Sequence, residues 1–301
     1  MGSKRGIAKS IISLFPKSEN FYDLFGGGFS ITHAMLLHRK NDFKTFYFNE
    51  IQSDIVTLIK KAIAGDFNYD KFKPKFITRE EFFEKKDTDP YVKSCWSFGT
   101  DLRTYMFSKD LEKKMQSLHN AVIFNNFDSF AKDFFGHSGF KESSTIQQRR
   151  SMNLNIIQNR FPHDPSKIEL LSLLPLQCLE RLQRLERLEG VQQLDCIERL
   201  MFTSMSYDEV EIKPNSIIYC DPPYKGTKQY LNEFNTKKFL DWADEQHAPV
   251  FISEYEIKDK RFRCIKKIEK RAMLTCYREK LVIKEEKIYV NKAALKLLLN
   301  K

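Results

Sequence analysis

The chain has 301 residues, with 50 Lys and Arg against 40 Asp and Glu, for a formal charge of +10. Apolar residues make up 42% and charged residues 30%. This excludes a wholly disordered chain and gives core enough for two domains, or for one domain with an insertion. No stretch approaches the roughly 18–20 apolar residues of a membrane span, and the N-terminal segment lacks the apolar core of about 7–15 residues of a signal peptide. The expectation is a cytoplasmic protein, and the basic surplus favours a polyanionic partner such as nucleic acid. The six cysteines form no C-x-x-C pair and the six histidines no H-x-x-x-H or E-x-x-H spacing. No metal is expected, and the thiols read as reduced and structural.

Along the chain, Ile7, Ile11, Ile12 and Leu14 predict a short helix closed by Pro16. The aromatic run Phe21-Tyr22-Asp23-Leu24-Phe25 has strand character and stops at Gly26-Gly27-Gly28. Ile31, Ala34, Met35 and His38 then recur at helical spacing. A second strand over 44–48 ends at Asn49-Glu50, and a helix is predicted over Asp54 to Ala64. This β-α-β-α opening argues for a parallel, doubly wound sheet.

Residues 76–165 are aromatic and basic, without a repeated βα unit. Phe82, Phe83, Trp96, Phe98, Tyr105 and Phe107 alternate there with Lys and Arg. The plain reading is an aromatic core, and the sharper one a DNA-contacting insertion. From Leu173 to Leu200 an apolar residue stands at every third position. Such a stripe drifts around an α-helix, so helical segments with a wandering apolar face are expected, with a low-complexity spacer or a self-association surface as the alternatives. Strand–helix alternation resumes after about residue 200, with strands at 216–220 and 250–253 and a helix around Lys237–Gln246. Residues 271–290 read as a closing antiparallel hairpin.

The strongest chemical signal is Asp221-Pro222-Pro223-Tyr224, placed directly after an apolar strand. Ligands of open α/β sheets bind beyond the carboxyl ends of the strands. The prolines fix the backbone and remove two donors, leaving the Asp221 and Pro222 carbonyls to accept. With the Asp221 carboxylate and the Tyr224 ring, this set suits an exocyclic amine on a planar base. The lone pair of such an amine is delocalised into its ring. Two acceptors that hold both N–H bonds draw the nitrogen towards tetrahedral geometry and aim it at a methyl donor. Asp23 to Gly28 form a glycine turn that lets a ligand approach the backbone closely. Glu50, at the end of the next strand, suits a ribose hydroxyl pair.

Together these residues resemble the Dam-type DNA adenine-N6 methyltransferases. Lys4 looks like the family's N-terminal lysine near the methyl donor, Asp23 to Ser30 resembles its motif I, and Glu50 its ribose-binding acid. Ser206-Tyr207 stands where the family has Asp-Phe or Asp-Tyr. Ile252-Ser253-Glu254-Tyr255 resembles the strand-end motif that follows Asp-Pro-Pro-Tyr. In two places the chain departs from the pattern: Phe29 takes the last glycine position of motif I, and Ser206 replaces the acid of motif III.

The resemblance implies a Rossmann-like S-adenosyl-L-methionine-dependent methyltransferase sheet with helices on both faces, plus an inserted, mainly helical target-recognition domain. Residues 1–75 and 199–301 would form the catalytic domain and 76–198 the insertion. Asp221, Pro222, Pro223 and Tyr224 would be catalytic. Lys4, Asp23, Phe25, Gly26, Gly27, Gly28, Glu50, Tyr207 and Asp221 would bind the cofactor. The implied reaction is methylation of N6 of an adenine flipped out of double-stranded DNA. The alternatives are an impaired DNA-binding protein of the same fold, or a methyltransferase acting on cytosine N4 or RNA adenine. The resemblance also admits a cognate restriction enzyme as partner, and a monomer is expected.

Overall fold

The computed structural model describes residues 4–68, 72–98, 102–149, 151–152, 181, 185, 187–223, 234–271 and 283–299. The chain divides into two compact units, Met1–Lys60 with Gly190–Lys301, and Lys61–Glu189.

The first unit carries a seven-stranded sheet in the order β3-β2-β1-β4-β5-β7-β6. The strands are β1 (Asn20–Asp23), β2 (Thr45–Asn49), β3 (Leu200–Thr203), β4 (Ser216–Cys220), β5 (Val250–Glu254), β6 (Arg263–Arg271) and β7 (Ile283–Val290). β1 to β5 pair in parallel, whereas β7 runs antiparallel to β5 and to β6. The N-terminal helices of this unit are α1 (Ala8–Ile12), α2 (Ser30–His38) and α3 (Ser53–Ile63), whose last turn crosses into the second unit, and others follow in its C-terminal part. The mixed α/β class expected from the alternation is the one found.

β1 and β4 are buried at every position, which explains the apolar run of β4, whereas β1 buries Phe21 and Tyr22 between the polar Asn20 and Asp23. Alternate residues face opposite layers. Phe21 and Phe251 pack on Phe15, just past α1, at ring separations of 5.5 and 5.0 Å. Tyr22, Ile218 and Ile252 belong to a cluster with Phe239 and Ala243.

The second unit contains α4 (Arg79–Lys85), α5 (Pro90–Trp96), α6 (Lys109–Phe124) and α7 (Ser129–Phe135). Local sequence sets their starts. Thr78 and Glu81 form a reciprocal cap on α4, Asp89 caps α5 ahead of Pro90, and Asp128 caps α7. Phe82, Trp96, Tyr105 and Phe107 are core, whereas Phe83 and Phe98 are exposed at 48% and 56%. The aromatic run therefore divides between a core and two surface rings.

Three local expectations differ from what is found. The first strand of the hairpin begins at Arg263, ahead of the expected 271. β3 lies where the period-three stripe ends, and pattern alone did not separate it. Within the stripe the described residues include a short α8 (Glu189–Gln192) and a 3₁₀ turn at Ile197–Arg199, and Arg181 and Leu185 are helical. Leu173, Leu176, Leu179 and Leu182 lie outside the described residues. The remaining helices are α9 (Thr236–Glu245), started by Asn235 accepting the Lys238 N–H at 2.9 Å, and α10 (Lys292–Leu299). Among the described residues, no helix is long and apolar enough to cross a membrane.

Candidate active site

The strand order reverses between β1 and β4, and the carboxyl ends of β1, β2, β4 and β5 share one edge of the sheet. This is the switch point at which open α/β sheets form a crevice. The loop after β1 is a tight turn. The Gly26 N–H donates to the Asn49 carbonyl and the Phe29 N–H donates to the Gly26 carbonyl, each at 2.9 Å. A Cβ on Gly26 would lie 2.7 Å from Phe48 Cζ and closer still to Cε2, so no side chain fits there. Gly27 has φ +48°, and its N–H donates to Glu50 Oε2 at 2.9 Å. The other Glu50 oxygen accepts the Gln52 N–H at 3.1 Å. Gly28 faces open space.

Phe29, in the family's glycine position, keeps a left-handed φ of +67°. An L side chain adopts that backbone at a cost of about 1–2 kcal/mol. The fully buried ring offsets the cost by packing 5.1 Å from Phe48.

Acidic side chains converge on the carboxyl edge. Asp23, at the end of β1, is buried and accepts a 2.7 Å bond from the Thr32 hydroxyl through Oδ2. Its Oδ1 has no bonding partner among the described residues. Burial, with Asp221 and Glu50 nearby, pushes the Asp23 carboxyl up to about 7, against the Thr32 bond that lowers it. Burial also raises Glu50, opposed by its two backbone N–H bonds. Glu254, at the end of β5, is pushed up to about 7 by burial, with Glu286 and Asp221 adding to the rise.

Lys4, only 3% exposed, lies 3.0 Å from Asp221 Oδ1 and 2.9 Å from Glu286 Oε1. Burial pulls the lysine pKa down, but the two carboxylates overcome it and the net shift is upward. Glu286 also accepts the Ser253 hydroxyl at 2.9 Å.

Aromatic rings line the neighbouring segment. Tyr207 stacks on Phe25 at 5.3 Å and meets Trp242 edge-on at 5.1 Å and Phe239 at 5.3 Å. Beside it, the Ser206 hydroxyl bonds to Asp208, and Asp208 pairs with Lys238 at 2.6 Å. The acid adjoining the Ser206 departure is thus already engaged by a cation.

Of the residues singled out from sequence, Lys4 and Asp221 are in direct contact, as are Gly27 with Glu50 and Phe25 with Tyr207. Asp23 is electrostatically coupled to Asp221 and Glu50. Pro222 is buried and Pro223 half-buried directly after Asp221. Tyr224 lies outside the described residues. Sequence reasoning missed Thr32 and Glu286. The signal for Glu286 was its phase: it shares a strand face with buried Ile288 and Val290, where an acid requires a partner.

Two solved structures of the rRNA methyltransferase aviRa from Streptomyces viridochromogenes, at 2.4 and 1.5 Å, are similar to this chain at 11% identity. Each alignment covers 97% of this chain and 86% of that one, with a TM-score of 0.36. No curated protein matches the chain. The family model for D12 class N6 adenine-specific DNA methyltransferases matches residues 1–161, more than half of the chain. The chain belongs to the D12 class of N6 adenine-specific DNA methyltransferases.

Proposed function

We propose that this chain methylates N6 of an adenine flipped out of duplex DNA, with S-adenosyl-L-methionine as the methyl donor. The observation that carries the reading is Asp221, fixed at the β1/β4 switch point by a 3.0 Å contact with a buried lysine. In the reading proposed, the Asp221 carboxylate and the Pro222 carbonyl accept the two N–H bonds of the amine, which frees its lone pair from the ring. Pro223 holds the turn rigid, and Tyr224 gives the flipped base a stacking face worth roughly 1–3 kcal/mol against the few kcal/mol of unstacking.

The residues at this edge fit the donor. Asp23 Oδ1 is a buried acceptor that no described residue engages, which suits an ammonium group. Gly28 leaves open backbone, Glu50 offers a carboxylate anchored by two N–H donors, and the Phe25–Tyr207 pair offers an aromatic wall. When bound, the cofactor would supply a sulfonium methyl: N6 would bond to its carbon as the carbon–sulfur bond breaks, the sulfur leaving as a neutral thioether and one N6 proton passing to solvent. The chain's own contribution is alignment of the amine and a negative charge beside a nitrogen that becomes cationic. The second unit is assigned target recognition, with its Lys and Arg on phosphates. Phe83, Phe98 and Phe124 are exposed rings among its described residues.

Asp221→Ala tests the reading. Lys4 keeps Glu286 as a counter-ion, so the fold is expected to survive. Methyl transfer should fall by at least about 100-fold with DNA binding retained. A rate within tenfold of the unaltered chain would refute the role.

A further inference from the structure

Glu286 reaches the carboxyl edge of the sheet because β7 runs against β5. The register pairs Ser253 with Ile288 and Glu254 with Lys287. The first half of β7 therefore lies where β5 ends, and the Glu286 carboxylate, fully buried, meets the Ser253 hydroxyl at 2.9 Å. The same oxygen holds Lys4 at 2.9 Å, and Lys4 holds Asp221 at 3.0 Å. A chain of contacts thus runs Ser253–Glu286–Lys4–Asp221, all within the first unit.

We infer that Glu286 is a positioning residue for methyl transfer, acting on Asp221 through Lys4. The inference rests on the reading of Asp221 as the acceptor of the amine. Two physical effects carry it. The first is charge. Lys4 alone beside Asp221 would neutralise the carboxylate that must face a nitrogen turning cationic. Glu286 offsets the lysine, so the three groups together carry one negative charge. Lys4 and Glu286 are buried and the Asp221 side chain is 20% exposed, so at separations of about 3 Å a unit of charge is strongly felt at the Asp221 carboxylate. The second effect is orientation. A lysine side chain is long and flexible, and one contact does not fix its ammonium. Glu286, itself held by Ser253, gives the ammonium a second anchor. That anchor fixes the direction from which Lys4 grips Asp221 Oδ1.

A purely structural role would be to balance Lys4, but Asp221 already does so. Replacing Glu286 by glutamine keeps the shape and the acceptor oxygen and leaves a balanced Lys4–Asp221 pair. Loss of a buried excess charge is not a reason for unfolding.

The experiment uses the full chain, labelled S-adenosyl-L-methionine and unmethylated bacterial DNA. It measures the single-turnover rate at saturating cofactor, cofactor affinity by calorimetry, and the melting temperature. Glu286→Gln should lower the rate roughly 10–100-fold, the loss seen when the hydrogen-bonding partner behind a metal ligand is removed, taken as the scale for a supporting carboxylate. Cofactor affinity and melting temperature should be essentially unchanged. A rate within about threefold of the unaltered chain overturns the inference. So does a loss confined to cofactor affinity with the saturated rate intact. If Glu286→Gln does not fold, Ser253→Ala decides, since it removes only the hydroxyl that fixes Glu286. A smaller loss in the saturated rate supports the inference, and an unchanged rate overturns it. If the unaltered chain transfers no methyl group, the reading of Asp221 fails and the inference falls with it. Normal transfer with an indifferent Glu286→Gln sinks the inference alone.

Discussion

Gly26→Ala puts the motif I turn under direct test. The added Cβ would stand 2.7 Å from Phe48 Cζ, with Cδ2 and Cε2 nearer still. Carbon atoms in ordinary contact are about 3.5–4.0 Å apart, so ring or loop must move by about 1 Å or more. The ring has little room to give. Phe48 is fully buried, with Phe29 at 5.1 Å and Phe202 at 5.7 Å. Overpacking of this kind costs about 1–3 kcal/mol, or roughly 2–12 °C in melting temperature for a protein this long. Phe48 lies two residues before Glu50, so the push reaches the 2.9 Å bond between Glu50 and the Gly27 N–H. Cofactor affinity should therefore fall together with stability. Gly28→Ala is the control, because nothing lies within 4 Å of its added Cβ. Its stability should stay within about 0.5 kcal/mol of the unaltered chain. Thermal melts and cofactor calorimetry on both variants read the outcome. A Gly26→Ala chain as stable as the Gly28→Ala chain would refute the steric argument.

Two further outcomes follow from the same edge of the sheet. Phe29 buries a large ring on a left-handed backbone at φ +67°. Phe29→Ala should cost about 3–5 kcal/mol, and Phe29→Gly slightly less, since glycine escapes the backbone strain. Denaturant titration that ranks alanine above glycine would contradict the left-handed turn. The second concerns pH. Asp23 and Glu254 hold protons up to about pH 7 when folded, against ordinary values of 3.8 and 4.5 for the free side chains. Between those limits the folded chain binds more protons than the unfolded chain. Their contribution to stability is therefore present at acidic pH and is lost as pH rises through 7. His119, lowered to about 4 by burial, acts in the opposite sense, its contribution being lost as pH falls below 6.5. Melting temperature measured from pH 6.5 to 8.5 separates the two. Asp23→Asn, which mimics the protonated acid, should flatten the fall seen with the unaltered chain. An equal fall in both would deny the raised Asp23 value.

The parallel half of the sheet was legible because its evidence is contiguous. β1, β2, β4 and β5 are short, mostly buried stretches built around aromatic and aliphatic residues, each ending at or followed by a residue or turn with chemistry in it. Helices with a strong apolar face were placed to within a residue: Asp54–Ala64 was expected and Ser53–Ile63 found, Lys237–Gln246 expected and Thr236–Glu245 found. β3 escaped because it is four residues long and half-exposed, and its first residue, Leu200, is also the tenth apolar position of a stripe with a different period. Glu286 escaped because antiparallel pairing brings it to the site, 65 positions after Asp221. No local spacing records such an encounter. Phe29 carries the same lesson in reverse: a bulky residue argues against a left-handed backbone, and tertiary packing on Phe48 overrides the local preference.

The central claim is that N6 of adenine in DNA receives a methyl group from S-adenosyl-L-methionine under the direction of Asp221. Its most direct test is to incubate the purified chain with labelled cofactor and unmethylated bacterial DNA, digest the DNA to nucleosides, and identify the labelled one. The account predicts label in N6-methyladenine and none elsewhere. Label in N4-methylcytosine, or DNA bound without any label, would contradict it.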